Sequence, residues 1–301
     1  MNSFSAHGKL LLTGEYLVLK GAIAIGLPTR LGQSLKVETV CTPSLQWNAY
    51  KPDTPWFSAT LTPELGIIET DDLSKAEKLV KILQALRQLN PHALQPGLHF
   101  ETHLDFDPDW GLGSSSTLIS NLAQWAEVNP YELLKMTMGG SGYDIACATA
   151  SSAIHYRLDD GQPMIQPLEF NPPFADRLFF VYQGKKQQSS NEVKAFNQHW
   201  GQANLTSEIQ TVSELSMALP TVTYFEDFLT LLQVHESILA RCLDREPIQL
   251  QYPDFSGVLK SLGAWGGDFL LAATDLPYEE VKAYFNEKGL SIIFKYQDLI
   301  L

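Results

Sequence analysis

Gly111-Leu112-Gly113-Ser114-Ser115-Ser116-Thr117 runs directly into Leu118, Leu122 and Trp125, an apolar spacing that predicts a helix. The two glycines let backbone approach a ligand closely, and the serines and threonine add hydroxyls. The helix that follows aims its free N–H groups and positive dipole end back at the loop. These are the physical elements of a phosphate cradle. The stretch is neither a GxxxxGKS/T loop nor GxGxxG, and a Ser-rich cap after a Gly turn is the alternative reading.

Outward from this loop the chain reads as mixed α and β, with no internal repeat. Upstream, Leu98–Leu104 reads as a strand and Asp71–Leu89 as an amphipathic helix, with Leu79, Ile82, Leu83 and Leu86 on one face and Asp71, Asp72 or Ser74 as cap. Residues 42–63 hold four prolines around short aromatic runs and fit hairpin strands at a sheet edge. Residues 4–12 and 16–27 suggest two strands joined by a tight turn at Thr13-Gly14, and Leu35–Val40 another strand. Downstream, Asn129-Pro130 opens a helix, Met138–Gly142 is a loop, Tyr143–Thr149 a short helix and Ala153–Arg157 a strand. The Asp- and Pro-rich break that follows places a boundary between domains 1–158 and 159–301. The second half predicts strands at Leu178–Tyr182, Phe269–Ala273 and Leu290–Phe294, with helices near 191–200, 205–218, 224–243 and Tyr278–Lys288.

The chain has 301 residues, 45% of them hydrophobic, so it can bury a sizeable core. Its formal charge is −13, with the acid excess present in both halves, which argues against a nucleic-acid partner. An anionic substrate must then be held by a few local cations and backbone amides. Cys41, Cys147 and Cys242 form no CxxC and read as buried thiols in a reducing compartment, the cytoplasm. Leu10–Leu27 is interrupted by Glu15 and Lys20 and is too polar to span a bilayer, so no membrane partner is expected.

Three further constellations carry chemistry. Lys9, in Ser5-Ala6-His7-Gly8-Lys9, opens an apolar strand, where it either serves a phosphate or carboxylate or snorkels at the strand edge. Asp144 follows Gly139-Gly140-Ser141-Gly142-Tyr143 and is either a general base or a helix cap. Gly263-Ala264-Trp265-Gly266-Gly267-Asp268, with Lys260 upstream, is a Gly-rich turn before a strand.

In order and spacing, Ser5–Tyr16, Gly111–Thr117 and Lys260–Phe269 together resemble the three motifs of the GHMP kinases, along the whole chain. Within them the chain is most similar to phosphomevalonate kinases, through Lys260-Ser261 with Gly267-Asp268, Asp144–Ala148, and Gly184-Lys185 with Ser189-Ser190. The string Gly142–Ala146 also looks like a bacterial branch carrying GYDIA. The resemblance implies an α+β two-domain fold, with a ribosomal-protein-S5-like N-terminal domain and a ferredoxin-like C-terminal one.

It also implies transfer of phosphate from ATP, with Mg²⁺, to phosphomevalonate, giving diphosphomevalonate. Gly111, Leu112, Gly113, Ser114, Ser115, Ser116 and Thr117 would hold the triphosphate, with Ser115 on the metal. Asp144 would accept or orient the acceptor's proton, and Lys9 would pair with Asp144 and stabilise the transferring phosphoryl. Substrate contacts would come from Glu15, Tyr16, Ser141, Gly142, Ser189, Ser190, Lys260, Gly263, Ala264, Gly266, Gly267 and Asp268. Arg30, Lys185 and Lys186 are further cations for a phosphate acceptor. Such a protein would be a monomer or homodimer.

Two departures stand out. His7 replaces the usual Pro, and Trp265 replaces a usual Gly, where a large ring is expected to narrow the substrate site. No Glu matches the second magnesium ligand of mevalonate kinases, and Glu132 reads as a solvated helix position. Mevalonate kinase, a related decarboxylase, or a metabolite-binding regulator that lost turnover are the rival readings; Trp265 keeps the last open, while intact Lys9, Ser115 and Asp144 favour an active enzyme.

Overall fold

The computed structural model describes residues 2–52, 54–185, 196, 198, 204–263, 265 and 267–301. The expected helix near 191–200, apart from 196 and 198, and the expected contacts Lys186, Ser189, Ser190, Ala264 and Gly266 therefore lie outside the described residues. Two compact units are present, and neither is one stretch of chain. The first comprises residues 1–8, 31–108 and 112–149, the second 9–30, 109–111 and 150–301.

The first unit is built on β3 (Leu45–Lys51), β4 (Thr54–Leu61), β5 (Ile67–Thr70), β6 (Leu98–Leu104) and the C-terminal half of β2 (Ala24–Thr39). Their order is β5-β4-β3-β6-β2, antiparallel except for β3 beside β6. A parallel pair needs a crossover, which β4, β5 and α1 (Leu73–Leu89) supply. Asp72 caps α1 by accepting from Lys75 N–H, and Leu79, Ile82, Leu83 and Leu86 are buried as their spacing predicts. Trp47 stacks on Phe100 at 5.2 Å, and Trp125 of α2 (Ser114–Ala126) meets Phe100 edge-on at 5.0 Å, anchoring that helix to the sheet. The helices α3 (Pro130–Thr137) and α4 (Tyr143–Thr149) add Leu133, Leu134 and Ile145 to the same core.

The second unit holds a four-stranded antiparallel sheet of β9 (Leu178–Tyr182), β10 (Val258–Ser261), β11 (Phe269–Ala273) and β12 (Ile293–Lys295), in the order β10-β11-β9-β12. Along the chain the helices α5 (Thr206–Ala218) and α6 (Phe225–Leu243) precede β10, and α7 (Tyr278–Glu287) precedes β12. That is the β-α-β-β-α-β arrangement of ferredoxin-like folds. Val281 and Phe285 of α7 pack against Phe179, Val181, Leu270 and Ala272 of the sheet. A second core joins α5 and α6 to Leu17 and Trp265.

Several elements depart from expectation. Residues 16–27 are not one strand: after β1 (Asn2–Thr13), Leu17–Lys20 form a 3₁₀ turn and β2 begins at Ala24. Left-handed residues at Gly14 (φ +83°), Tyr16 (+60°) and Gly21 (+92°) fold the chain back, and a Cβ on Gly14 would stand 2.6 Å from that of Ala24. The Asp-rich break at 159–161 is a hairpin turn, with Asp160 and Gly161 both at positive φ between β7 (Ile154–Asp159) and β8 (Gln162–Pro167). Pro163 and Pro167 of that break sit on the terminal strand of the ladder, and Pro172 and Pro173 follow it. Lys260 and Ser261 belong to β10, a strand that no periodicity in so short a segment announces. Cys41 is exposed, in the turn after β2, while Cys147 and Cys242 are buried, and burial pushes the Cys242 thiol up to about 11.

Candidate active site

The Gly-Ser loop takes its shape from two left-handed glycines, Gly111 at φ +75° and Gly113 at +94°. Gly113 occupies the N-cap of α2 without any side-chain cap, so the helix presents its first N–H groups outward. The hydroxyls divide by direction. Ser116 Oγ donates to the Gly113 carbonyl (2.9 Å), Thr117 Oγ1 donates to Gln33 Oε1 (2.8 Å), and both side chains are buried with Leu112. Asn121 Nδ2 in turn donates to the Gln33 carbonyl (2.9 Å). Ser115 is exposed and Ser114 half-buried. The loop is thus stiffened from beneath by Gln33, a residue that carries no motif signal, and offers amides and Ser115 above.

Asp144 sits half-buried in the first turn of α4, a helix packed on α2. It follows Gly139, Gly140 and Gly142, all at positive φ. Asp144 Oδ1 accepts from Ile145 N–H at 3.1 Å. Ser141 is half-buried and Gly142 buried. Tyr131 of α3, unmarked in the sequence reading, lies within electrostatic reach. Its burial and the Asp144 carboxylate push the phenol up to about 12. Glu132 is exposed on the same helix, as a solvated position should be.

In the second unit, Lys9 is half-buried in β1. Asp268, buried and at φ +51°, ties the third motif to the end of β9. Its N–H donates to the Lys185 carbonyl and its own carbonyl accepts from Gln183 N–H, both at 2.8 Å, while Gln183 Nε2 donates to the Gly267 carbonyl at 2.8 Å. The Asp268 carboxylate packs on Gly111, at the start of the Gly-Ser loop. Gly263 is left-handed at φ +67°. Lys185 is exposed, and Arg30 Nε donates to the Gln297 carbonyl (3.0 Å).

Glu15, Tyr16 and Lys260 take interior positions instead of the substrate contacts expected of them. Lys260 has no exposed surface and Glu15 only 1%, and the ammonium finds its acceptors inside: Lys260 Nζ donates to Glu15 Oε1 at 2.5 Å and to the Ser261 carbonyl at 2.8 Å. Tyr16 is buried against Phe196, ring centroids 5.4 Å apart. Trp265 corrects a second expectation. Its ring is 2% exposed and sits in the helical core with Leu17, Val212, Leu215 and Leu239, while its carbonyl accepts from the Arg245 guanidinium. It fills the unit's interior, which removes the feature that kept a silent regulator open.

No group of three or more His, Cys, Asp or Glu among the described residues could hold a metal ion. The exposed Ser115 hydroxyl fits a cation whose other ligands are phosphate oxygens and water, the usual habit of Mg²⁺. No helix among the described residues is long and apolar enough to cross a membrane.

No family model matches the chain, and no curated protein matches it in sequence. Solved structures do match along nearly its whole length. Phosphomevalonate kinase of Streptococcus pneumoniae, solved with phosphomevalonate and AMPPNP, superposes with a TM-score of 0.70 at 18% identity, covering 98% of this chain and 100% of that one. Mevalonate kinase of L. major, solved with R-mevalonate, gives 0.69 at 18% identity, over 98% and 95%. The fold is that of the GHMP kinases. A D-glycero-D-manno-heptose 1-phosphate kinase from Bacteroides thetaiotaomicron shares it at 0.61 and 14% identity, over 99% and 95%, so GHMP-fold neighbours of this chain span different acceptors.

Proposed function

We propose that this chain is an ATP-dependent small-molecule kinase, acting in the cytoplasm on phosphomevalonate to form diphosphomevalonate. The observation that carries the reading is the uncapped N-terminus of α2 behind Gly113, with Ser115 facing out and Ser116 and Thr117 turned in. Such a loop suits a triphosphate, whose charge is met by amides and a helix dipole even in an acidic protein. Net charge acts weakly here, because it is screened over about 10 Å at ordinary salt.

In this reading Gly111–Thr117 hold the nucleotide's phosphates, and Ser115 holds the Mg²⁺ that arrives with them and offsets their charge. Asp144 orients the acceptor oxygen or takes its proton, and Lys9 stabilises the phosphoryl in flight. The protein's share of the catalysis is positioning and charge stabilisation. The amides of Gly263 and Gly267 and the exposed Lys185 would serve the anionic acceptor.

Mevalonate is the second candidate acceptor, favoured by the equally good superposition on a mevalonate kinase. The test is Mg²⁺-dependent ATP consumption with mevalonate, phosphomevalonate and diphosphomevalonate, with Asp144→Ala as control. Turnover on phosphomevalonate that disappears in the variant supports reaction, acceptor and base together. Turnover on mevalonate alone keeps the kinase and changes the acceptor. Turnover on diphosphomevalonate with release of CO₂ makes it the decarboxylase. Silence with all three overturns the mevalonate-series assignment.

A further inference from the structure

Four ionisable side chains that the proposed chemistry does not use meet inside the second unit. Lys260 comes from β10, Glu15 from the turn after β1, and His235 and Glu236 are neighbours on α6. All four are buried. Their hydrogen bonds run to backbone at both ends of the motif pair. Gly14 N–H donates to His235 Nε2 (2.9 Å). Glu236 Oε2 accepts from Ser261 N–H (3.0 Å), and its Oε1 accepts from Ser261 Oγ (2.9 Å) and Ile248 N–H (3.1 Å).

The proton inventory follows from these directions. A ring nitrogen that accepts carries no proton, so His235 is the neutral Nδ1–H tautomer. Glu15 Oε2 stands 3.4 Å from that same Nε2. The one lone pair of Nε2 is taken by Gly14 N–H, and Glu15 Oε2 has no donor among the described residues, so burial there favours the protonated acid. Glu236, with three donors on its oxygens, is the group suited to carry the negative charge that balances the Lys260 ammonium. One cation, one anion, one neutral acid and one neutral imidazole leave no net buried charge. Burial moves Glu15 up to about 7 and His235 well below its ordinary value, and it raises Glu236 too, against the pull of Lys260 and the donors from Ile248 and Ser261.

We propose that His235 and Glu236 are positioning residues of the kinase site, a bracket on α6 that fixes the Gly14–Glu15 turn of the first motif against the Lys260–Ser261 start of the third. The proposal rests on the kinase reading above. Gly14 follows the strand that carries Lys9, and Ser261 leads into the Gly-rich stretch whose Asp268 packs on Gly111, so both ends of the bracket lead into motif backbone. Ionised Glu15 would face the His235 lone pair and loosen the turn. The charged or titratable groups around Glu15 are Lys260 from β10 and His235 and Glu236 from α6.

The test compares His235→Leu, His235→Gln and Glu236→Gln for kcat and KM from pH 6 to 9, with melting curves and amide exchange at Gly14 and Ser261. Gln places an acceptor where Nε2 stands and Leu does not. The expected result is a ten- to hundredfold loss of kcat/KM in His235→Leu, carried in kcat as well as KM, and recovery of most of it in His235→Gln. In Glu236→Gln the alkaline fall in activity moves to lower pH, because Glu15 alone then balances Lys260. Unchanged kinetics in a folded His235→Leu overturns the proposal, as does failure of Gln to rescue or an unmoved alkaline limb. If His235→Leu does not fold, the limb in Glu236→Gln decides. If the wild-type chain consumes no ATP with any acceptor, the kinase reading falls. Exchange then decides the bracket by itself: faster exchange at Gly14 in His235→Leu but not in His235→Gln, and faster exchange at Ser261 in Glu236→Gln, supports it, and equal exchange overturns it.

Discussion

Asp268 presses its carboxylate against Gly111 so closely that a Cβ built on that glycine would stand 2.4 Å from Asp268 Cγ. The third motif thereby dictates the residue that opens the Gly-Ser loop. Two penalties separate at this contact: the positive φ of Gly111 and the clash itself.

Gly111→Ala should cost on the order of 1–3 kcal/mol from the backbone alone, and more from the clash. Asp268→Gly keeps the left-handed conformation at 268 and removes the carboxylate. Urea unfolding of the two single variants and the double variant should therefore give less than additive losses. Strict additivity would mean that the carboxylate moves aside freely.

Among the loop hydroxyls, Ser115→Ala and Thr117→Val should fail in different ways. Ser115→Ala should leave the melting temperature unchanged and lower turnover with Mg²⁺ and ATP. Thr117→Val breaks the bond to Gln33 and should cost about 1–2 kcal/mol of stability, measured by denaturant unfolding.

For the proposed acid–base pair, Asp144→Asn and Lys9→Met should each lower kcat on the order of 10²-fold or more while the protein remains folded. Nucleotide binding followed by calorimetry should persist in Asp144→Asn, separating chemistry from binding.

Glu15 gives a pH signature. Its folded pKa, about 7, is raised above the ordinary 4.5, so its contribution to stability is fully present below pH 4.5 and is lost as pH rises to about 7. His235, depressed in the fold, contributes with the opposite slope below 6.5 and masks this in the wild type. The difference between wild type and Glu15→Gln isolates it. That difference should fall by up to roughly 3 kcal/mol between pH 4.5 and 7 and then level off. A flat difference would show that Glu15 is ionised throughout.

Trp265→Ala should cost about 3–5 kcal/mol by emptying the α5–α6 core. Trp265→Phe should be far milder, since the indole Nε1 has no hydrogen-bond partner among the described residues. Urea unfolding of both variants would check it. Equal and small losses would return Trp265 to the substrate site.

The same tryptophan shows where sequence reading stops. The helix over 73–89 was legible because Leu79, Ile82, Leu83 and Leu86 repeat on one face, and α2 because it follows two glycines and a run of hydroxyls. Local spacing carries that information. Which way Trp265, Lys260 or Glu15 turns depends on α6, some twenty to more than two hundred residues away, and no local pattern encodes it. A motif also does not distinguish a residue that meets ligand from one that holds the residue that does. Thr117 bonded to Gln33 and Ser115 facing out read alike as letters. The break at Asp160-Gly161 is ambiguous for a different reason, since a hairpin turn and a domain boundary share Asp, Gly and Pro.

The backbone passes from one compact unit to the other five times, after residues 8, 30, 108, 111 and 149. Neither unit can therefore be excised as a contiguous fragment. Truncation at any single point removes a strand or loop that the remaining half needs, and the partners that complete each unit are far apart in synthesis order. The strand begun at Asn2 passes from one unit to the other after Gly8, and the unit its last residues join is completed only by residues 150–301, a sequence-distant closure that favours slow assembly.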